Sequence, residues 1–155
     1  MKIDKEKLVQ KIRPTIAYAF LSNFKYLLLL LLAALSGQLF HPYFFLLTIV
    51  FFAVFFWKIM QVVTLSYYLY EEVLIVRSGI IAVKFDALEL FRVKDYRVTR
   101  NGMERILGLM SLTLYTTDIS SPTLILKGIE VSDIPNKIRD FVQSSRIKNH
   151  IFEIN

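Results

Sequence analysis

The sequence predicts an α+β protein: an N-terminal transmembrane hairpin of two helices, then a small β-sandwich or barrel closed by a C-terminal amphipathic helix. Three observations carry this. Tyr26 to Trp57 contains no Lys, Arg, Asp or Glu over 32 positions. From Thr64 onward the long apolar runs give way to short β-branched and aromatic runs separated by turn residues. Near the end, Ile134, Ile138, Phe141 and Val142 recur at i, i+4, i+7 and i+8, which is one face of a helix.

The charge-free stretch is too long for one crossing. As a single helix it would measure about 48 Å, against a hydrocarbon core of about 30 Å. Ser36-Gly37-Gln38 and His41-Pro42 interrupt it, and Pro42 both lacks an amide hydrogen and biases His41 away from helix. Two spans result, Ala17 to Leu39 and Tyr43 to Val63. Each charge-free half is only about 22 Å as helix, so Lys25 and Lys58 must extend their stems to the same headgroup layer. A shallow re-entrant hairpin is the rival geometry. Trp57, Tyr26, Tyr67 and Tyr68 are candidates for an interfacial aromatic belt. The second span is crowded by Phe44, Phe45, Phe51, Phe52, Phe55 and Phe56, for contact with other helices or with lipid.

Charge orients the hairpin. The chain carries net charge +6. Its basic excess lies in residues 1–15 and at Lys25 and Lys58, while residues 101–155 are neutral and the turn Ser36 to Pro42 has no Lys or Arg. Both termini are therefore expected in the cytoplasm, with the chain a multi-pass protein of the inner (cytoplasmic) membrane. The lysines favour the anionic inner leaflet as a partner over nucleic acid, which would need a basic stripe on the polar domain. Ala34-Leu35-Ser36 is not expected to be a signal-peptide cleavage site, because its lead-in is too long. The segment 3–13, with Ile3, Leu8, Val9 and Ile12 among lysines, reads either as a helix on the inner leaflet or as a plain positive flank.

The expected organisation is thus a basic cytoplasmic arm (1–15), the hairpin (16–63), the β-rich domain (64–148) and a tail (149–155). In the domain, SYYLY, VLIV, GIIAVKF, YRVTR, SLTLY and TLIL are strands. Ser78-Gly79 marks a tight hairpin between VLIVR and IIAVKF. NGMERILGL gives one or two helical turns closed by Gly108. Ser132 or Asp133 caps the last helix, with Pro135 in its first turn.

Two N-terminal spans, then YYLYEEVLIVRSGII, then ERILGLMSLTLYTT, then a closing helix: this order resembles the membrane-anchored bacterial pleckstrin-homology (PH-like) domain family. The resemblance rests on Tyr67, Tyr68 and Tyr70 of a tyrosine-rich first strand, on Gly79-Ile80, on Arg105 with Gly108, and on IRPT before the first span. It implies a PH-like fold, a bacterial source and a membrane location, and supplies no catalytic residues.

The residues themselves carry no signature of catalysis. There is no cysteine, the two histidines are far apart, and the five glycines form no phosphate-cradling cluster. No Ser-His arrangement or metal-ligand spacing occurs, so neither catalytic residues, metal nor cofactor are expected. Asp86 and Glu89 flank a turn and read as solvated. The candidate site is instead the basic run Arg92, Lys94, Arg97, Arg100 and Arg105, a cationic surface for lipid headgroups. Alternation puts Arg92, Lys94 and Arg100 on one face and Arg97 on the other. The competing reading is a solvated strand balanced by Glu89, Asp95 and Glu104. Against a phosphate grip, the first hairpin turn is Glu71-Glu72. The expected function is a non-catalytic interaction or assembly module, oligomeric or bound to another membrane protein through a sheet edge or the groove beside the last helix. The alternative is a sensor of anionic lipid headgroups.

Overall fold

The computed structural model describes residues 8–39, 42–119 and 121–149. The basic arm before Leu8, His41 at the break, the Phe44 side chain and the tail beyond Asn149 lie outside the described residues. The first ordered element is a strand, β1 (Gln10–Ile12), which pairs antiparallel with β2 (Ser66–Leu69) in the register Gln10↔Leu69, Ile12↔Tyr67. Residues 10–12 are therefore strand and not part of a helix on the inner leaflet.

Pro14, without an amide hydrogen, ends the β1 ladder. Thr15 then caps α1 (Ile16–Ser22), its Oγ1 accepting from the Tyr18 N–H at 3.3 Å. α1 stops at Asn23, which is buried and donates its Nδ2–H to the Ala19 carbonyl at 2.9 Å. Side-chain competition of this kind breaks the helical ladder, and α2 (Phe24–Leu39) leaves at 64° to α1. The expected continuous span from Ala17 to Leu39 is thus a bent pair. Ser36 to Gln38 remain helical, correcting the turn expected there: Ser36 Oγ donates to the Ala33 carbonyl, and Gly37 lets the Phe45 ring approach to where a Cβ would stand 3.1 Å from it. The break comes after Leu39, with Pro42 and Tyr43 in a turn before α3 (Phe44–Val63).

β2 follows α3 after two residues and forms a hairpin with β3 (Val73–Ser78) around Glu71-Glu72. β3 pairs with β4 (Lys84–Glu89), completing a sheet of order β1-β2-β3-β4. The connection between them is longer than the tight turn expected. Gly79 does take positive φ (+106°), but the chain then loops over Ile80–Val83 and folds back so closely that a Cβ on Gly79 would meet the Ala82 carbonyl oxygen. Asp86 and Glu89 accordingly lie on a strand and do not flank a turn. A short 3-10 turn, Leu90–Arg92, leads to the second sheet, β5 (Val93–Thr99), β6 (Leu109–Thr116) and β7 (Thr123–Glu130), all antiparallel. Between β5 and β6 lies α4 (Gly102–Ile106), started by an Asn101–Glu104 capping box and closed by Gly108 at φ +66°. The chain ends in α5 (Ile134–Lys148), with Pro135 in its first turn; Asp133 sits at the cap position without a side-chain cap bond.

Leu69, Leu74 and Leu88 of the first sheet and Leu112, Leu114 and Leu126 of the second are almost wholly excluded from solvent, and Ile134 and Ile138 of α5 join them. The two sheets form a sandwich and do not close into a barrel. Leu90 plugs the gap between β4 and β5 from within, while α5 covers it and Arg146 Nη2–H donates to the Val93 carbonyl at 2.7 Å. Tyr67 is a core residue at 1% exposure, so it leaves the aromatic belt expected from sequence.

Candidate functional site

The helices reach the sandwich at two places. α3 runs directly into β2. α1 is fastened to β7, where Thr15 donates both its N–H (2.9 Å) and its Oγ1–H (3.2 Å) to the Gly128 carbonyl. Gly128 adopts φ +57° beside the irregular register between Met110 and Leu112, and Tyr18 lies so close that a Cβ on Gly128 would sit 1.9 Å from its ring. Gly128 N–H in turn donates to Ser111 Oγ (3.3 Å), and Ser111 Oγ–H donates to Glu104 Oε1 (2.8 Å). Glu104 Oε2 accepts from the Asn101 N–H at 2.9 Å. A buried carboxylate with its oxygens satisfied in this way is a stable structural element. One polar chain therefore links α4, both strands of the β6–β7 hairpin and the start of α1.

Tyr67 stands beside this junction. Its hydroxyl donates to the Ile125 carbonyl (3.2 Å) and accepts from the Lys127 N–H (3.1 Å). Burial pushes its phenol up to about 12; the Lys127 hydrogen bond pulls downward and Tyr18 adds a small upward push. Tyr68 points to the other side of β2, beneath Lys11 at 5.1 Å. Its slight burial raises the phenol pKa, but hydrogen bonds and positive charge from Arg77 and Lys11 outweigh this and leave it below the ordinary value.

The five basic residues singled out by sequence do not share a simple strand face. Arg92 belongs to the 3-10 turn and binds Glu89 Oε2 through Nε at 2.7 Å. The register shift between Val93 and Asp95 falls at Lys94, so alternation cannot be counted across it. Tyr96 and Val98 oppose the buried Leu114 and Leu112, which makes theirs the core side; Arg97 is on the outer side, over the Tyr115 ring at 5.9 Å. Arg100 Nε–H donates to the Leu109 carbonyl at 3.2 Å, and Arg105 is exposed on α4. Lys94, Arg97, Arg100 and Arg105 are exposed, whereas Arg92 is half-buried.

A shallow cavity of about 220 Å³ lies between the β2–β3 turn and the end of α5, lined by Glu71, Glu72, Phe141, Ser144, Ser145 and Lys148. An ion pair between Lys148 and Glu72 crosses it. Among the described residues no three His, Asp or Glu side chains gather as a metal site.

On the helical side, Lys25 stands fourteen residues before Leu39 and Lys58 fourteen residues after Phe44, so both are about 21 Å from the turn. Lys25 lies over Tyr26 at 5.1 Å, and Trp57 is exposed beside Lys58. Phe55 is buried against Phe20 (ring centroids 6.0 Å), whereas Phe52 and Phe56 stack on one another and face outward. The segment Phe45–Val63 has mean hydropathy 2.2 and is long and apolar enough to cross a membrane; the bent α1–α2 pair qualifies if it counts as one span. Comparison with known families now decides the kinship: the sequence model of the bacterial PH domain matches residues 16–153.

The chain belongs to the bacterial PH domain family. The match takes in the helices as well as the sandwich, and begins after β1. No curated protein and no solved structure matches the chain. As a bacterial PH domain it carries an interaction or lipid-binding fold of a generally non-catalytic kind.

Proposed function

We propose that this bacterial PH domain is a non-catalytic interaction and assembly module, displayed on the cytoplasmic face of the inner membrane by a helical hairpin that crosses and returns. The observation that carries this reading is the β1–β2 ladder. Strands on either side of the helical segment are hydrogen-bonded to each other, which supports a segment that begins and ends on the same side of the bilayer. The equal distance of Lys25 and Lys58 from the turn agrees, because both ammonium groups then reach one headgroup layer.

Two surfaces suit a second copy or another membrane protein. β4 is an open edge of the first sheet, exposed along Lys84–Ala87, and can accept an added strand. Phe52 and Phe56 give the hairpin an outward aromatic patch. The test is the native mass of the full-length protein, gently extracted from its own membrane. A mass at multiples of 18.1 kDa, or a defined second chain, is expected; a lone monomer carrying anionic lipid would overturn the assembly reading.

The second reading, a sensor of anionic headgroups through Arg92, Lys94, Arg97, Arg100 and Arg105, is favoured by the exposure of Arg97 and Arg105. It requires that Arg97→Glu with Arg100→Glu abolish function while folding and complex size stay intact. Retained function in that double variant sinks it.

A further inference from the structure

Two clusters of exposed apolar side chains project from the sandwich, and each stands at one of the two places where the helices join it. The first is the β3–β4 loop, Gly79–Val83, where Ile81 is 84% exposed and Val83 is also open. Ser66 pairs with Arg77, so extending that register sets Ser78 opposite Leu65. The loop therefore continues beyond Leu65 to the level of the last turn of α3. The second is α4 with its C-cap, where Ile106 is 79% exposed beside Met103 and Leu107. The Glu104–Ser111–Gly128–Thr15 hydrogen bonds hold α4 at the start of α1. Each cluster also carries exposed cations: Arg77 and Lys84 at the ends of the loop, Arg105 within α4.

We infer that these two clusters are a membrane-docking face: the β3–β4 loop and α4 dip into the same bilayer that holds the hairpin, their apolar tips among the acyl-chain ends and their cations against lipid phosphates. The inference rests on the anchored reading above. Its occupant follows from continuity, since both clusters border the points where α3 and α1 enter the sandwich, and from charge, since basic groups flank the apolar tips. It also explains why these isoleucines tolerate exposure, and it adds two contacts that set the tilt of the domain against the bilayer. Ile119, 98% exposed at the β6–β7 connection, marks the opposite end of the second sheet. β6 runs about 17 Å from Ser111 to Thr116, where that connection begins.

The natural absence of cysteine makes the test direct. Full-length protein carrying Ile81→Cys, Ile106→Cys, Ile119→Cys or Phe52→Cys is labelled with an environment-sensitive fluorophore. Each is reconstituted in phosphatidylcholine–phosphatidylglycerol vesicles containing lipid with a nitroxide near the headgroup end of the acyl chain. The labels at Ile81 and Ile106 should be blue-shifted and quenched several-fold more than the label at Ile119. Quenching at either site no greater than at Ile119 overturns the inference, as does a blue shift without lipid quenching, which would mean that protein covers the face. Phe52, on α3, separates the two levels. If it is blue-shifted or quenched while Ile81 or Ile106 is not quenched, the docking face alone falls; if Phe52 shows neither blue shift nor quenching, so that neither lipid nor a membrane partner surrounds it, the anchored reading falls with it.

Discussion

Replacing Gly128 by Ala tests how tightly the helical segment is fastened to the sandwich. Gly128 has φ +57°, a region that costs an L side chain about 1–2 kcal/mol. The new Cβ would also stand 1.9 Å from Tyr18 Cγ and 2.4 Å from its Cβ. Those atoms are close to the backbone, so rotating the ring cannot clear the overlap and the start of α1 must move. Movement breaks the two Thr15 hydrogen bonds to the Gly128 carbonyl, each worth about 1 kcal/mol. The expected loss is about 3 kcal/mol, a large part of the stability of any small domain. Denaturant unfolding of the full-length protein in mild detergent, followed by near-ultraviolet circular dichroism of the tyrosines, reads this out. Gly128→Asn separates the causes: asparagine tolerates positive φ but brings the same Cβ, so it should be nearly as damaging. Tyr18→Gly removes all the clashing atoms, and in that background Gly128→Ala should cost about 1–2 kcal/mol less than alone. A loss below about 1 kcal/mol for Gly128→Ala, or additivity with Tyr18→Gly, would refute the junction as drawn.

Two further outcomes follow from the buried polar groups. The Tyr67 phenol has its folded pKa raised to about 12 from 10, so it supports the folded state fully below pH 10 and that support is lost as pH climbs from 10 through 12. The loss is on the order of 2–3 kcal/mol, and Tyr67→Phe should flatten the alkaline limb of the stability curve; an unchanged limb would show that another group causes it. Glu104→Ala leaves the Asn101 N–H and Ser111 Oγ without their carboxylate and should lower stability by about 2 kcal/mol, seen as an earlier denaturant midpoint, whereas a neutral result would deny the carboxylate its place in the link between α4 and β7.

What sequence made legible was whatever depends on local pattern. The uncharged run with its proline announced two apolar helices, and Ile134–Val142 with Pro135 announced α5. Gly108 and Gly79 were both needed at positive φ, where turns required them. What depends on pairing across the chain was hidden. β1 is three residues long, with Lys11 inside it and Arg13 directly after it, and its partner lies beyond the helical pair, so no window of periodicity contains it. The loop Ile80–Val83 is apolar and reads as strand, because an exposed apolar loop and a strand facing a core have the same composition. Alternation could not be counted through the basic run, because Arg92 lies in a 3-10 turn and a bulge at Lys94 resets the count, and bulges leave no reliable mark in sequence. The Asn101-x-x-Glu104 spacing was a signal available to be read, but the burial of that glutamate against Ser111 is purely tertiary.

The strand ahead of the helices also sets an order of events during synthesis. β1 leaves the ribosome first and finds no partner until Ser66–Leu69 has been made, since Ile12 pairs with Tyr67 fifty-five residues later. Closing a loop of that length in a free chain costs roughly 3.5 kcal/mol beyond a constant, more than three paired residues return. Once α2 and α3 lie side by side, the ends of the segment are already neighbours and that cost largely disappears. Packing of α2 on α3 should therefore come first and the β1–β2 ladder last, so that the completed sheet serves as a latch reporting that the two helices have come together.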